Sequence, residues 1–193
     1  MRSHQGTRVL VVYGTTEGHT RDVAARVADT LRGEGAFVKL AAAAEAGELL
    51  ARGGWDALIL GASVHQGQHQ TSVVDFAKAH AEALAELPTA FFSVCLSAAV
   101  HHPDKQREAQ GYITAFVEDT GLKPLVTASF AGALRHARYD YFKRLVLELL
   151  DYQLGGGTVT SEDVVYTDWD RVEAFAKGFL AQALAAPRAP LSA

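Results

Sequence analysis

The chain holds one cysteine, one methionine and five prolines in 193 residues, and no apolar run nears the ~18 to 20 residues that a membrane-spanning helix requires. A lone thiol, Cys95, excludes an internal disulfide and a cysteine-rich metal site. It matches the cysteine usage of a reducing compartment, so a cytoplasmic location without a metal is expected. Residues 1–7 are short and polar, so neither a signal peptide nor an anchor is expected. Charge is not lopsided: 18 Lys and Arg against 22 Asp and Glu leave −4 with histidines neutral, which argues against a nucleic-acid partner. Two phosphate-binding signatures are also missing. No Gly-Lys-Ser/Thr closes a P-loop, and Gly14 and Gly18 do not fall at the G-x-G-x-x-G spacing. A mononucleotide therefore suits the chain better than ATP or NAD.

What is present is an ordinary globular composition, 49% hydrophobic and 21% charged, at a length that supports one full core. Apolar runs of strand length at residues 8–13, 37–41, 57–60, 89–94 and 125–130 alternate with helical periodicity. That is the pattern of a parallel sheet covered on both faces. Val23, Val27 and Leu31 form one helical stripe, closed by Gly33 and Gly35. A second helix is expected over 72–84, with Val73, Phe76, Ala77, His80 and Leu84 inward, and a third over 104–120 around Tyr112, Ile113 and Phe116. The last begins at Asp168, behind Thr167 as candidate cap, and presents Val172, Phe175, Phe179 and Leu180. The alanine runs at 41–44 and 181–186 read as compositional bias, and residues 187–193 as a flexible tail. The expectation is a single doubly wound α/β domain over 1–186 with an insertion at about 135–157.

In such sheets ligands sit beyond the carboxyl ends of the strands, where the strand order reverses. The segments after the first, third and fourth strands are therefore expected to converge. The first contains Thr15, Thr16, Glu17, Gly18, His19 and Thr20. Unpaired N–H groups and the positive dipole end at a helix start favour an anion there, and the threonines add neutral donors. The second, with Ser63, Val64, His65, Gln66, Gly67, Gln68 and His69, can stack on or hydrogen-bond to a planar ring. The third, with Ser93, Val94, Cys95, Leu96 and Ser97, is short-chained enough for backbone to approach a flat heterocycle. Cys95 reads as a small apolar residue rather than a nucleophile. His65, His69, His101 and His102 are candidates for acid–base work, and no catalytic residue stands out among them.

Residues 15–20 resemble the flavodoxin phosphate-loop pattern Ser/Thr-x-Thr-Gly-x-Thr, with Glu17 where the third hydroxyl usually stands. A narrower resemblance spans nearly the whole chain. Gly61-Ala62-Ser63-Val64 through Gly67 and His69 to Pro88-Thr89-Ala90-Phe91-Phe92-Ser93-Val94 is similar to the flavodoxin-like, menaquinone-dependent protoporphyrinogen IX dehydrogenases of bacteria. So are Ala131-Gly132-Ala133-Leu134-Arg135 with Arg138-Tyr139, Gly155-Gly156, and Val164-Val165-Tyr166-Thr167-Asp168-Trp169. The chain departs from that pattern at His65-Gln66, where relatives carry an aromatic or basic pair, and at residues 95–99, where they are more polar and basic.

The resemblance implies a flavodoxin-like sheet of strand order 2-1-3-4-5 that binds FMN, its phosphate on residues 15–20 and its ring between 63–69 and 93–97. It implies oxidation of protoporphyrinogen IX to protoporphyrin IX in haem biosynthesis, with electrons passed to a quinone, menaquinone. The insertion is basic and aromatic at Arg135, Arg138, Tyr139, Lys143 and Arg144, and then apolar at helical spacing through Leu150. It reads either as a surface helix packed on the sheet or as a contact for substrate propionates or the cytoplasmic membrane surface. A peripheral membrane attachment and a homo-oligomer both stay open. Other readings on this fold are a flavodoxin-type FMN electron carrier, an NAD(P)H:quinone reductase and a flavin-free regulatory domain.

Overall fold

The computed structural model of the protein describes residues 6–134 and 164–186. The expected insertion, with Arg135, Arg138, Tyr139, Lys143 and Arg144, and the 187–193 tail lie outside the described residues. Five parallel strands build the sheet: β1 (Arg8–Gly14), β2 (Phe37–Ala42), β3 (Ala57–His65), β4 (Thr89–Cys95) and β5 (Val126–Ala131). Their order is β2-β1-β3-β4-β5, so the reversal falls between β1 and β3, as expected. Val11 is paired with Leu40 on one side and Ile59 on the other, and Ile59 with Ala90.

Because neighbouring strand residues point to opposite faces, the uninterrupted apolar runs supply two cores at once. Val9, Val11, Ile59, Phe92 and Phe130 face α1 (His19–Gly33) and α6 (Trp169–Ala185), meeting Val23, Val27, Leu31, Phe175 and Phe179. Leu10, Val12, Leu58, Leu60 and Phe91 face the other way. They meet α2 (Ala43–Ala51), α3 (Thr71–Ala79), α4 (Ala81–Ala85) and α5 (Pro103–Thr120) through Leu50, Phe76, Leu84, Ile113 and Phe116. Phe91 and Phe116 stack with centroids 3.9 Å apart and planes 4° from parallel.

The structure differs from the sequence expectation at four places. The alanine run after β2 is not mere bias: it opens α2, where Ala43, Ala46 and Leu50 are buried at helical spacing, and alanine is the strongest helix former. The helix expected over 72–84 breaks at His80, where φ is −117° and ψ 23°. The His80 ring packs on Phe76 at 4.8 Å and comes within 3.1 Å of where a Cβ on Gly47 of α2 would lie. The third strand runs on to His65 and turns back through Gln66 and Gly67 into Gln68–His69, pairing Val64 with His69 and His65 with Gln68. Both turn residues have positive φ, 51° and 79°, as a two-residue type I′ hairpin requires. Finally, Asp168 rather than Thr167 caps α6: its carboxylate accepts from the Arg171 N–H at 3.1 Å. Past β5, Ala133–Leu134 pairs antiparallel with Val164–Val165. Among the described residues no helix is long and apolar enough to cross a membrane.

Candidate functional site

The loop after β1 is drawn tight by its own residues. Gly14 ends the strand against α3, and a Cβ there would lie 2.5 Å from Val73 Cγ2, so only glycine lets the loop start so close to that helix. Thr15 Oγ1 accepts from the Gly18 N–H at 2.9 Å. Gly18, left-handed at φ 88°, then starts α1 without a side-chain cap. Helix amides at such a start are donors aimed outward. Thr16 donates its hydroxyl to Gln70 Oε1 at 3.0 Å, and Gln70 Nε2 reaches the Thr15 carbonyl at 3.5 Å. Gln70, directly after the second polar segment, therefore ties the first loop to the root of the hairpin.

The carboxyl ends of β1, β3 and β4 open onto one pocket. Thr15, Thr16, Glu17, His19 and Thr20 line one end. Ser63, Val64 and His65 line one side, and Val94, Cys95, Leu96 and Ser97 the other. Gly132, Glu108 and Tyr112 complete the wall. The remaining expected residues lie elsewhere. Gly18 is in the turn behind the loop, and Gln66, Gly67 and Gln68 form the exposed hairpin tip. Ser93 is wholly buried and bonded to His69, Oγ to Nε2 at 2.9 Å. The His69 ring lies edge-on to Phe91 and Phe116, 5.3 Å from each, and so packs against core rings and is not among the residues that line the pocket.

Electrostatics separate these groups further. Burial drives the His69 pKa down from 6.5 to about 4, so the ring is neutral at physiological pH. Burial pushes the Cys95 thiol up to about 11, which keeps it protonated and inert. Burial would also raise the Glu108 carboxyl, but hydrogen bonds from Tyr112 at 2.7 Å, from Lys105 at 3.0 Å and from Ser97 outweigh it and hold the group below the usual range. The pocket thus carries a fixed carboxylate. Glu108 and Tyr112 were missed by sequence reasoning, although their i, i+4 spacing on one face of α5, with Lys105 a turn earlier, was a readable signal. Of the other acid–base candidates, His65 lies on the wall, His102 caps α5 by accepting from the Asp104 N–H at 3.3 Å, and His101 is exposed.

One polar atom on this wall has no partner among the described residues. The Ser63 hydroxyl is buried without a hydrogen bond, a condition that costs about 1–3 kcal/mol unless a ligand or water supplies one.

Comparison with known proteins extends the geometry. A sequence model of a flavodoxin-domain family matches residues 10–161. The protoporphyrinogen IX dehydrogenase [quinone] of Leishmania major is 32% identical over 187 residues, 96% of this chain and 80% of that protein. The protein of the same name from Escherichia coli K12 is 33% identical over 171 residues, 88% of this chain and 93% of that one. Among solved structures, a cysteine-to-serine mutant of flavodoxin from Pseudomonas aeruginosa superposes with a TM-score of 0.56 at 16% identity, covering 93% of this chain and 100% of that one. Oxidised flavodoxin 1 from Bacillus cereus superposes at 0.52 with 16% identity, covering 91% and 98%. At such identities these two likenesses speak to the fold alone.

Proposed function

This chain belongs to the flavodoxin-domain family and, within it, to the group of the protoporphyrinogen IX dehydrogenases [quinone], and from that premise we propose that it oxidises protoporphyrinogen IX to protoporphyrin IX with FMN as cofactor and menaquinone as electron acceptor. The observation that carries the proposal is identity of 32–33% over 88–96% of the chain to dehydrogenases of that name. Two features of the pocket fit a flavin mononucleotide. The start of α1 has no side-chain cap and follows a loop of hydroxyls, which suits a phosphate ester. The Ser63 hydroxyl, on one of the two ring-flanking segments, is buried without a partner among the described residues, where a heterocycle would give it one.

When bound, FMN supplies the two-electron chemistry, so removal of six electrons from one porphyrinogen takes three turnovers. The protein's share is position and charge. Thr15, Thr16 and Thr20 with the first amides of α1 hold the phosphate, while Ser63, Val64 and His65 on one side and Val94 to Ser97 on the other hold the ring. Glu108 keeps a negative charge at the far wall. That charge favours the cationic character a pyrrolic substrate gains as hydride leaves it.

Anaerobic FMN-loaded protein mixed with protoporphyrinogen IX and a menaquinone analogue is expected to develop porphyrin fluorescence. Flavin reduction by NADPH but not by porphyrinogen would replace this reading with that of a quinone reductase.

A further inference from the structure

We propose that His19 and Thr167 form a clamp, a pair of positioning residues that holds the anion-binding end of the pocket to the width of a phosphate ester and so makes the site discriminate a flavin phosphate from the same flavin without it. The proposal rests on reading the pocket as an FMN site. Thr167 stands in the Val-Val-Tyr-Thr-Asp-Trp stretch, of which Trp169 packs on a core and no residue lines the pocket.

Both side chains are buried, His19 at 4% and Thr167 at 8% exposure. The Thr167 hydroxyl makes two short contacts, 2.6 Å to the Ala131 carbonyl oxygen and 2.6 Å to His19 Nε2. A carbonyl can only accept, so the single hydroxyl proton goes to Ala131, and the imidazole must donate its Nε2–H to the threonine oxygen. This places a proton on His19 Nε2, with Nδ1 turned toward Asp22 at 3.9 Å. Trp169 lies edge-on to the ring at 6.0 Å and is itself covered by the Arg26 guanidinium at 5.4 Å. The ring therefore cannot swing without breaking a buried hydrogen bond.

One hydroxyl thus joins two walls of the pocket. His19 is the first residue of α1, directly after left-handed Gly18, so fixing its ring fixes where the first amides of the helix point. Ala131 is the last residue of β5, and Gly132, next along, lines the pocket across from the loop. Gly132 is pinned in turn, its N–H donating to the Cys95 carbonyl at 3.2 Å and its own carbonyl accepting from the Tyr166 N–H at 3.3 Å. Thr167 does not line the pocket, so it acts through His19 and Ala131. Preorganised donors of this kind bind a phosphate without the cost of ordering them at the moment of binding.

The test is titration of the flavin-free protein with FMN and, separately, with riboflavin, following flavin fluorescence. The parent is expected to prefer FMN. Thr167→Val, which keeps the shape and loses the hydroxyl, and His19→Phe, which keeps a ring and loses the donor, are each expected to weaken FMN at least tenfold, about 1.4 kcal/mol. Riboflavin affinity should stay within about twofold, because a merely structural loss would weaken both flavins alike. Thr167→Ser should restore FMN binding to within about threefold of the parent. The double variant should be no worse than the poorer single, since both remove one bond. The two single variants probe that bond from opposite ends, so failure of one to fold leaves the test intact. A Thr167→Val protein that holds FMN as tightly as the parent, or loses both flavins in proportion, refutes the clamp while the FMN reading stands. A parent that takes up neither flavin refutes the FMN reading and the clamp with it.

Discussion

His69 and Glu108 both reach Tyr112, yet their surroundings drive them to opposite charge states. The histidine has aromatic edges and a serine hydroxyl around it and stays neutral, whereas the carboxylate has three donors and stays ionised. The first of these has a measurable consequence for stability. Unfolded, the His69 ring binds a proton below about pH 6.5; folded, it does so only near 4. Stability from this group is therefore full above pH 6.5 and is lost as pH falls through the window toward 4, by roughly 2 kcal/mol between pH 7 and 5. His69→Gln keeps an amide for Ser93 and removes the titration. The unfolding free energy from urea melts should fall less between pH 7 and 5 in the variant than in the parent by that amount, and equal falls would remove His69 from the account. The sequence placed this residue in the segment after the third strand, but on the pocket wall, which it does not line. Which way a hairpin residue faces depends on pairing register, and no local pattern in residues 61–70 shows that Val64 pairs with His69.

Elements were legible where burial imposes a period. All five strands and the stripes of α1, α5 and α6 follow from apolar spacing, because a two-faced sheet leaves no polar positions in Val9 to Val12 or Ala57 to Leu60. The departures occur where neighbours decide. α2 has too few large apolar residues to show a stripe, and His80 ends α3 because of what lies against it from α2. The hairpin is the most informative case. Its first turn position is Gln66, a residue held at φ 51° without a glycine's freedom, directly before Gly67. Asn-Gly is the preferred pair for this turn, so Gln66→Asn is expected to stabilise the protein by roughly 0.5 kcal/mol, read as a rise in thermal midpoint. The pocket wall starts at His65 and excludes the tip, so FMN affinity should stay within about twofold. A lowered midpoint would mean that the Gln66 side chain contributes more than its backbone strain costs.

Seen whole, the described residues 6–134 and 164–186 form three layers, a sheet with a core on each face and a pocket at the carboxyl ends of its strands. The chain leaves β5, pairs Ala133–Leu134 with Val164–Val165, and enters α6 through the Thr167 and Asp168 bonds. The residues that flank 135–163 are thus paired with each other, close enough for a short linker to join them. This separates two roles that a flavodoxin-fold carrier would not separate. If residues 138–150 serve anionic propionates or a quinone at a bilayer surface, their removal should spare the cofactor and cripple the reaction. Bridging the gap with a short Gly/Ser linker is expected to leave the FMN dissociation constant within about threefold and the thermal midpoint nearly unchanged, since no described buried residue is lost. Turnover of porphyrinogen with a quinone in lipid vesicles should drop at least tenfold, whereas reduction of the flavin by dithionite should be unaffected. Undiminished turnover would reduce the segment to a surface decoration and move the substrate contacts onto the pocket rim, with Glu108 and Tyr112 as the residues to test next.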